Sequence, residues 1–237
     1  IIMHQWYENT PVLSEMNAQT DESGSTILSS RYTMIGDSVG IEVVYEVRGD
    51  GTVKVNYTVE ADPKLPNIPK VGMQTGINRD LSRITWYGRG PLENYCDRKQ
   101  GSYVAIYSKN LKNFTEPYAY PQENGNRSDV RWIYLGGSNG TGLLVVADSL
   151  LNVSAWPYTE EILQQATHTN ELLDPGFITL NIDLLTMGIG GNDSWSEVGA
   201  PLPKYQVQAG SYSYSFFLKP VEADLKSLSI TANKIRY

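Results

Sequence analysis

The sequence predicts an all-β fold, organised as one large antiparallel domain of two sheets. Three observations predict it: apolar and polar residues alternate with period 2 in segment after segment, 16 tyrosines and 21 glycines punctuate the 237 residues, and helix signals are few. Strand candidates are spread evenly along the chain with no internal repeat, which favours a single domain. The length fits, because β-sandwiches and barrels often reach about 200 to 250 residues. A hydrophobic content of 41% is enough for a core.

The opening Ile1-Ile2-Met3-His4-Gln5-Trp6 lacks the basic, apolar and small-residue segments of a signal peptide and reads as the start of a fragment. The first strong strand pair is 41–47 and 53–60, where Val53, Val55, Tyr57 and Val59 alternate with Lys54, Asn56, Thr58 and Glu60 around the Gly49-Asp50-Gly51 turn. Three prolines between residues 62 and 70 make that stretch an extended connection. Strands are expected at 71–77 and 81–87, followed by a long polar loop to about residue 101 and a strand at 103–107. Loops of that length are usually functional or supported by partners. Further strands fall at 132–135, 142–147, 177–187 and 212–218; in the last, Tyr212, Tyr214 and Phe216 oppose Ser211, Ser213 and Ser215. The one convincing helix is short, 159–167, with Thr159 as N-cap and Glu160 and Glu161 in its first turn. Residues 224–236 form a terminal helix or tail.

The charge balance excludes some partners. With 26 acidic and 19 basic residues the net charge is −7, which argues against nucleic acid or an anionic membrane. No apolar run approaches the roughly 18 residues that span a bilayer. Cys96 is the sole cysteine, so no internal disulfide and no cysteine-based metal cage can form. Sequons at Asn56, Asn113, Asn126, Asn139, Asn152 and Asn192 matter only in a eukaryotic secretory pathway and read as chance in a chain rich in Asn, Ser and Thr. The chain is expected to be soluble, in a bacterial cytoplasm or periplasm.

The run from Met187 to Ser196 carries the most specific chemistry. Gly188, Gly190 and Gly191 bend the chain and bare its backbone, Asn192, Asp193 and Ser194 supply short polar groups, and Trp195 adds an aromatic face. An exposed indole beside such groups can hold a sugar ring, whose C–H patch stacks on the ring while its hydroxyls find donors and acceptors. An indole folded back onto the core is the other reading of the same residues. Carboxylates gather in two further loops, Glu93 and Asp97 in one, Glu123 and Asp129 in the other. A glycosidase needs a pair about 5 to 9.5 Å apart. Ion pairing of Glu93, Asp97 and Glu123 with Arg89, Arg98, Arg127 and backbone amides accounts for them better than direct catalysis. His4 and His168 are the only histidines, and no Gly-x-Ser-x-Gly elbow accompanies His168, so it reads as a helix-end or surface residue. The Gly188-Ile189-Gly190-Gly191 run is similar to a phosphate loop, but no Lys-Ser/Thr follows.

Taken in series, four segments resemble the C-terminal, small-chain domain of glycoside-hydrolase family 2 β-galactosidases: Trp86 to Arg98, Pro117 to Arg127, Leu180 to Asp183, and the run through Trp195. The likeness extends from about Ser25 to Lys219, with Cys96 where the family often has proline and Asn192 where aspartate is frequent. It divides the chain into a fragment start or linker (1–24), the domain proper (25–220) and a tail (221–237).

This resemblance implies a galactose mutarotase-like antiparallel β super-sandwich. It implies that the catalytic glutamates of the parent enzyme lie on a separate (β/α)8 barrel, against which this domain folds, and that no residue here is catalytic. Trp195 then stacks on a β-galactoside or galactose, supported by Asn192 and Asp193, while Glu93, Asp97, Arg98, Glu123, Asn124 and Arg127 serve as loop or interface support. No metal or cofactor is expected in this chain, and any Mg or Na of the parent enzyme lies outside it. Two rival readings are an aldose 1-epimerase, which needs a glutamate base and a histidine acid with only His168 to offer, and a free-standing carbohydrate-binding module.

Overall fold

The computed structural model describes residues 3–191, 193, 196–222 and 225–236. After a short helix α1 (His4–Glu8) come β1 (Val12–Thr20), β2 (Thr26–Met34), β3 (Val39–Val47), β4 (Val53–Ala61), β5 (Lys70–Asn78), β6 (Arg83–Gly90), β7 (Tyr103–Asn110), β8 (Arg127–Gly136) and β9 (Thr141–Trp156). Helix α2 (Glu160–Gln165), β10 (Phe177–Thr186), β11 (Ser211–Glu222) and helix α3 (Leu225–Arg236) complete the chain. Every pairing among these strands is antiparallel, in the order β1-β2-β3-β4-β11-β9-β8-β6-β7, with β10 between β9 and β5. The all-β, antiparallel class expected from the sequence is the one observed. Among the described residues no helix is long and apolar enough to cross a membrane.

Strand β9 joins the two layers. Its first part, Gly142 to Ala147, pairs with β11 and β8; its last part, Asn152 to Trp156, pairs with β10. Between them residues 148–150 are exposed where the register with β8 shifts. The core lies between the layers: Val55, Tyr57 and Val59 of β4 with Tyr214 and Phe216 of β11 meet Ile178, Leu180 and Ile182 of β10 with Val71 and Ile77 of β5. The Tyr214 hydroxyl crosses the core to donate to the Ile182 carbonyl at 2.7 Å, which satisfies a buried polar group without water.

A second apolar cluster sits on the outer side of β8, β9 and β11, where Trp132, Tyr134, Leu144, Val146 and Phe217 are covered by Leu228 and Ala232 of α3. The terminal segment is therefore a packed helix. The Thr159 N-cap is observed, its hydroxyl accepting from Ile162 N at 3.1 Å. The sequence placed no strand before residue 41; β1 and β2 occupy that region, and β1 is exposed along its whole length.

Candidate functional site: three loops at one end of the sandwich

Three connections converge: residues 91–102 after β6, 111–126 before β8, and 187–210 after β10. Glu93 ties the first two. Its carboxylate contacts the Arg98 guanidinium and the Tyr118 hydroxyl and accepts the Gly125 N–H at 2.7 Å. Gly125 has a φ of +77°, a left-handed conformation that suits glycine. Beneath Glu93, the fully buried Asn94 accepts from Ser128 N at 2.9 Å, donates its own N–H to the Asn126 carbonyl at 2.8 Å, and accepts at its carbonyl from Asn126 Nδ2 at 2.7 Å. Asn124 extends this network, donating to the Gln122 carbonyl at 2.8 Å and to the Tyr158 hydroxyl at 2.9 Å, while its carbonyl accepts from Trp156 Nε1 at 2.9 Å.

Asp129 stands at a bulge in β8 with φ +53° and receives both Arg89, at 2.5 Å, and Lys99, at 2.8 Å. Burial opposes its charge, but these two cations hold its carboxyl below the usual range. Arg127 departs from the expected role: no described carboxylate forms an ion pair with it. The side chain is wholly buried, its guanidinium 4.5 Å from the Phe114 ring centre and 5.3 Å from that of Trp86. It donates to the carbonyls of Gly125, Asn126 and Phe114 at 3.0, 3.2 and 3.3 Å. Burial pulls its pKa down to about 10, so it stays charged at neutral pH. Planarity explains the choice of residue, since a guanidinium packs against aromatic rings and still fans donors to several carbonyls.

Glu123 faces inward. It pairs with Lys70 at 2.6 Å and accepts from the Tyr95 hydroxyl at 3.2 Å. Burial raises its pKa, against the pull of Lys70. Burial works against the Lys70 ammonium too, yet Glu123, Asp183 and Glu160 together raise it above its ordinary value. The ammonium also lies 4.7 Å from the Trp156 ring centre. Asp183 is wholly buried, and desolvation pushes it up to about 8 despite Lys70. It packs against Gly72 so closely that a Cβ there would fall 1.9 Å from its Oδ1.

The third loop docks on Asp97. Its Oδ2 accepts the Gly190 N–H at 2.8 Å, and its Oδ1 is buried without a hydrogen-bond partner. Gly188 donates its N–H to the Tyr205 carbonyl at 2.8 Å, and a Cβ at Gly188 would lie 2.6 Å from the Asp97 carboxylate. Gly191 abuts Gly199, whose carbonyl oxygen would be 2.1 Å from an added Cβ. The bare backbones are therefore required by close approach. Asp193 accepts from Ser196 N at 2.8 Å and from its hydroxyl at 2.6 Å. A cavity of about 250 Å³ opens beside this turn, lined by Asp97, Arg98, Gly190, Val198, Leu202 and Tyr205 among others. Asn192 and Trp195 lie outside the described residues.

Of the residues singled out from the sequence, the structure brings Glu93, Arg98, Asn124 and Arg127 into one network around Gly125, and places Asp97 against the glycine-rich turn. Lys70, Asn94, Trp156, Tyr158 and Asp183 were not singled out as site residues. Asn94 and Asp183 lie inside the matching segments, whereas Lys70 opens β5 at the end of the proline-rich stretch, with no local signal. His168 is exposed and contacts only Thr167 and Glu171 among the described residues, which gives it no part in these loops. No three His, Cys, Asp or Glu side chains among the described residues converge to hold a metal ion.

Fold and loops define the class: an all-β antiparallel domain whose glycine-rich, aromatic and carboxylate segments gather at one end as a hydrogen-bonded network. The chain belongs to the beta galactosidase small chain family, whose model matches residues 2–218. It is similar to the β-galactosidase of Priestia megaterium, 34% identical over 82% of this chain and 19% of the relative. It is also similar to that of Pseudoalteromonas haloplanktis, 35% identical over 74% of this chain and 16% of the relative. The chain thus spans under a quarter of the curated relatives' length. Among solved structures it resembles an α-galactosidase of Lactobacillus brevis, with 6% identity, TM-score 0.45 and coverage of 93% of this chain and 27% of that one. It also resembles a GalM/aldose epimerase homologue of C. elegans, with 9% identity, TM-score 0.44 and coverage of 89% and 70%.

Proposed function

We propose that this chain is the part of a β-galactosidase that completes the substrate pocket, presenting Trp195 as an aromatic wall for the sugar while the catalytic glutamates belong to a (β/α)8 barrel elsewhere in the parent protein. The observation that carries this reading is the Asp97–Gly190 contact, which fastens the base of the Trp195 turn to the 91–102 loop beside an open cavity. The glycines that precede Trp195 are pinned on both sides, Gly190 by Asp97 and Gly191 by Gly199, which supports a built rather than a free turn. The committed pairings of Glu93, Glu123 and Asp129 with cations support a structural role for them rather than acid–base work. In the whole enzyme the reaction would be retaining hydrolysis of a terminal β-D-galactoside through a glycosyl-enzyme, with this domain supplying binding energy. Trp195→Ala in the full-length enzyme should lower kcat/KM for a galactoside by about 10- to 200-fold, the scale of one lost apolar contact in a pocket, with the domain still folded by circular dichroism. Unchanged kinetics would remove the assignment.

A further inference from the structure

A second groove lies on the outer face of the β5–β10 pair, with a volume of about 510 Å³, and shares no lining residue with the cavity at the glycine-rich turn. We infer that it is a binding site for a neutral saccharide. Antiparallel register puts Phe177 opposite Asn78, Thr179 opposite Gly76 and Asn181 opposite Gln74, so these side chains share one face. β5 is the free edge of this layer, which leaves the groove open along one side.

Three features specify the ligand. The Phe177 ring lies over Gly76, its nearest carbon 3.3 Å from where a Cβ would stand, and the side chain remains more than a third exposed. Glycine there provides the space in which the ring can lie across the strand. Next, Thr179 is 2% exposed and its hydroxyl has no hydrogen-bond partner, which is costly unless a ligand or water supplies one.

The third feature is the remaining polar lining, which is neutral and incompletely used. Gln74 spends its amide on Asn181 and Glu160, at 2.9 and 3.2 Å, which leaves its carbonyl oxygen. Asn78 accepts from Asp80 N at 2.9 Å, which leaves its amide hydrogens. Thr159 accepts from Ile162 N and retains its own proton. No Lys, Arg, Asp or Glu lines the groove. An aromatic face with hydroxyl and amide groups of both senses, and no charge, matches a pyranose ring, which offers a C–H patch and hydroxyls that both donate and accept. An anionic ligand would find no lining cation and would meet the Glu160 carboxylate that Gln74 contacts at 3.2 Å.

Isothermal titration of the 237-residue chain with lactose, and separately with galactose, tests this. Binding with Kd on the order of 1 mM is expected. Thr179→Val should weaken it by about tenfold, the scale of one hydrogen bond, and Phe177→Ala should abolish it. Gln74→Ala, at an exposed edge position, should also weaken it and provides the decision if Phe177→Ala perturbs the sheet by circular dichroism. Absence of binding by both sugars overturns the proposal. So does binding that survives the Thr179, Phe177 and Gln74 variants. The role of Trp195 in the full enzyme is read separately, from kinetics, and can fail without touching this groove.

Discussion

The Asp97 carboxylate accepts the Gly190 N–H at 2.8 Å, joining positions 93 residues apart in sequence. It is a charge-assisted bond to a backbone amide, the stronger kind, and it fixes the glycine-rich turn against the loop that follows β6. Asp97→Ala should release that turn while leaving the sheets intact. Amide hydrogen exchange at residues 188–191 should speed up by about tenfold or more, with global unfolding midpoints nearly unchanged. Equal protection in the variant would mean that the Tyr205 and Gly199 contacts hold the turn unaided.

Glu93 serves three donors at once, the Arg98 guanidinium, the Tyr118 hydroxyl and the Gly125 amide, and its side chain is only 7% exposed. Truncation to alanine leaves a buried amide and a part-buried hydroxyl without this acceptor. The expected destabilisation is about 2–4 kcal/mol in urea or guanidinium titration. Glu93→Gln retains an acceptor for Gly125 and should cost clearly less. A loss under about 0.5 kcal/mol for the alanine variant would show that water takes over the site.

Arg127→Lys is not conservative in this setting. A lysine ammonium cannot pack against Phe114 and Trp86 and reach three carbonyls from one plane. A loss of about 2–4 kcal/mol is expected by chemical denaturation, because a buried cation is left with fewer partners. A lysine variant as stable as the parent would disprove the need for a planar group.

Asp183 gives stability a distinct pH dependence. Its carboxyl titrates at about 8 in the folded chain and near 3.9 when unfolded. Between those values the unfolded state binds fewer protons, so stability falls as pH rises from about 4 to 8. Glu123, also raised by burial, acts in the same direction, while Lys70 is charged in both states throughout this window and adds no slope. Thermal unfolding of Asp183→Asn should therefore lose less stability than the parent between pH 5 and pH 8. Parallel pH profiles for the two would show that Asp183 is ionised in the fold.

The strands that could be read from the sequence are those with one wet face. β4 alternates cleanly because Val55, Tyr57 and Val59 enter the core and their neighbours do not. β1 offers no such pattern, since every one of its residues is exposed at the sheet edge. The second half of β9 was equally silent: Asn152 and Ser154 lie on a face covered by other polar side chains, Asn126 and Asn181, so polarity does not mark the surface there. The loop residues divide in the same way. Asp97 and Glu93 stand in recognisable glycine- and tyrosine-bearing runs, but the partner of Glu123 is Lys70, whose position at the end of a three-proline stretch carries meaning only once β5 and the loop before β8 are brought together.

Strand β9 belongs to both layers, pairing with β11 in one and β10 in the other. The two sheets are therefore one mechanical piece: neither can be peeled away, swapped for a homologous layer or expressed by itself without cutting a strand that the other half needs. Limited proteolysis at the exposed residues 148–150 would sever both at a stroke. A gene that carries this domain must gain or lose the sandwich whole.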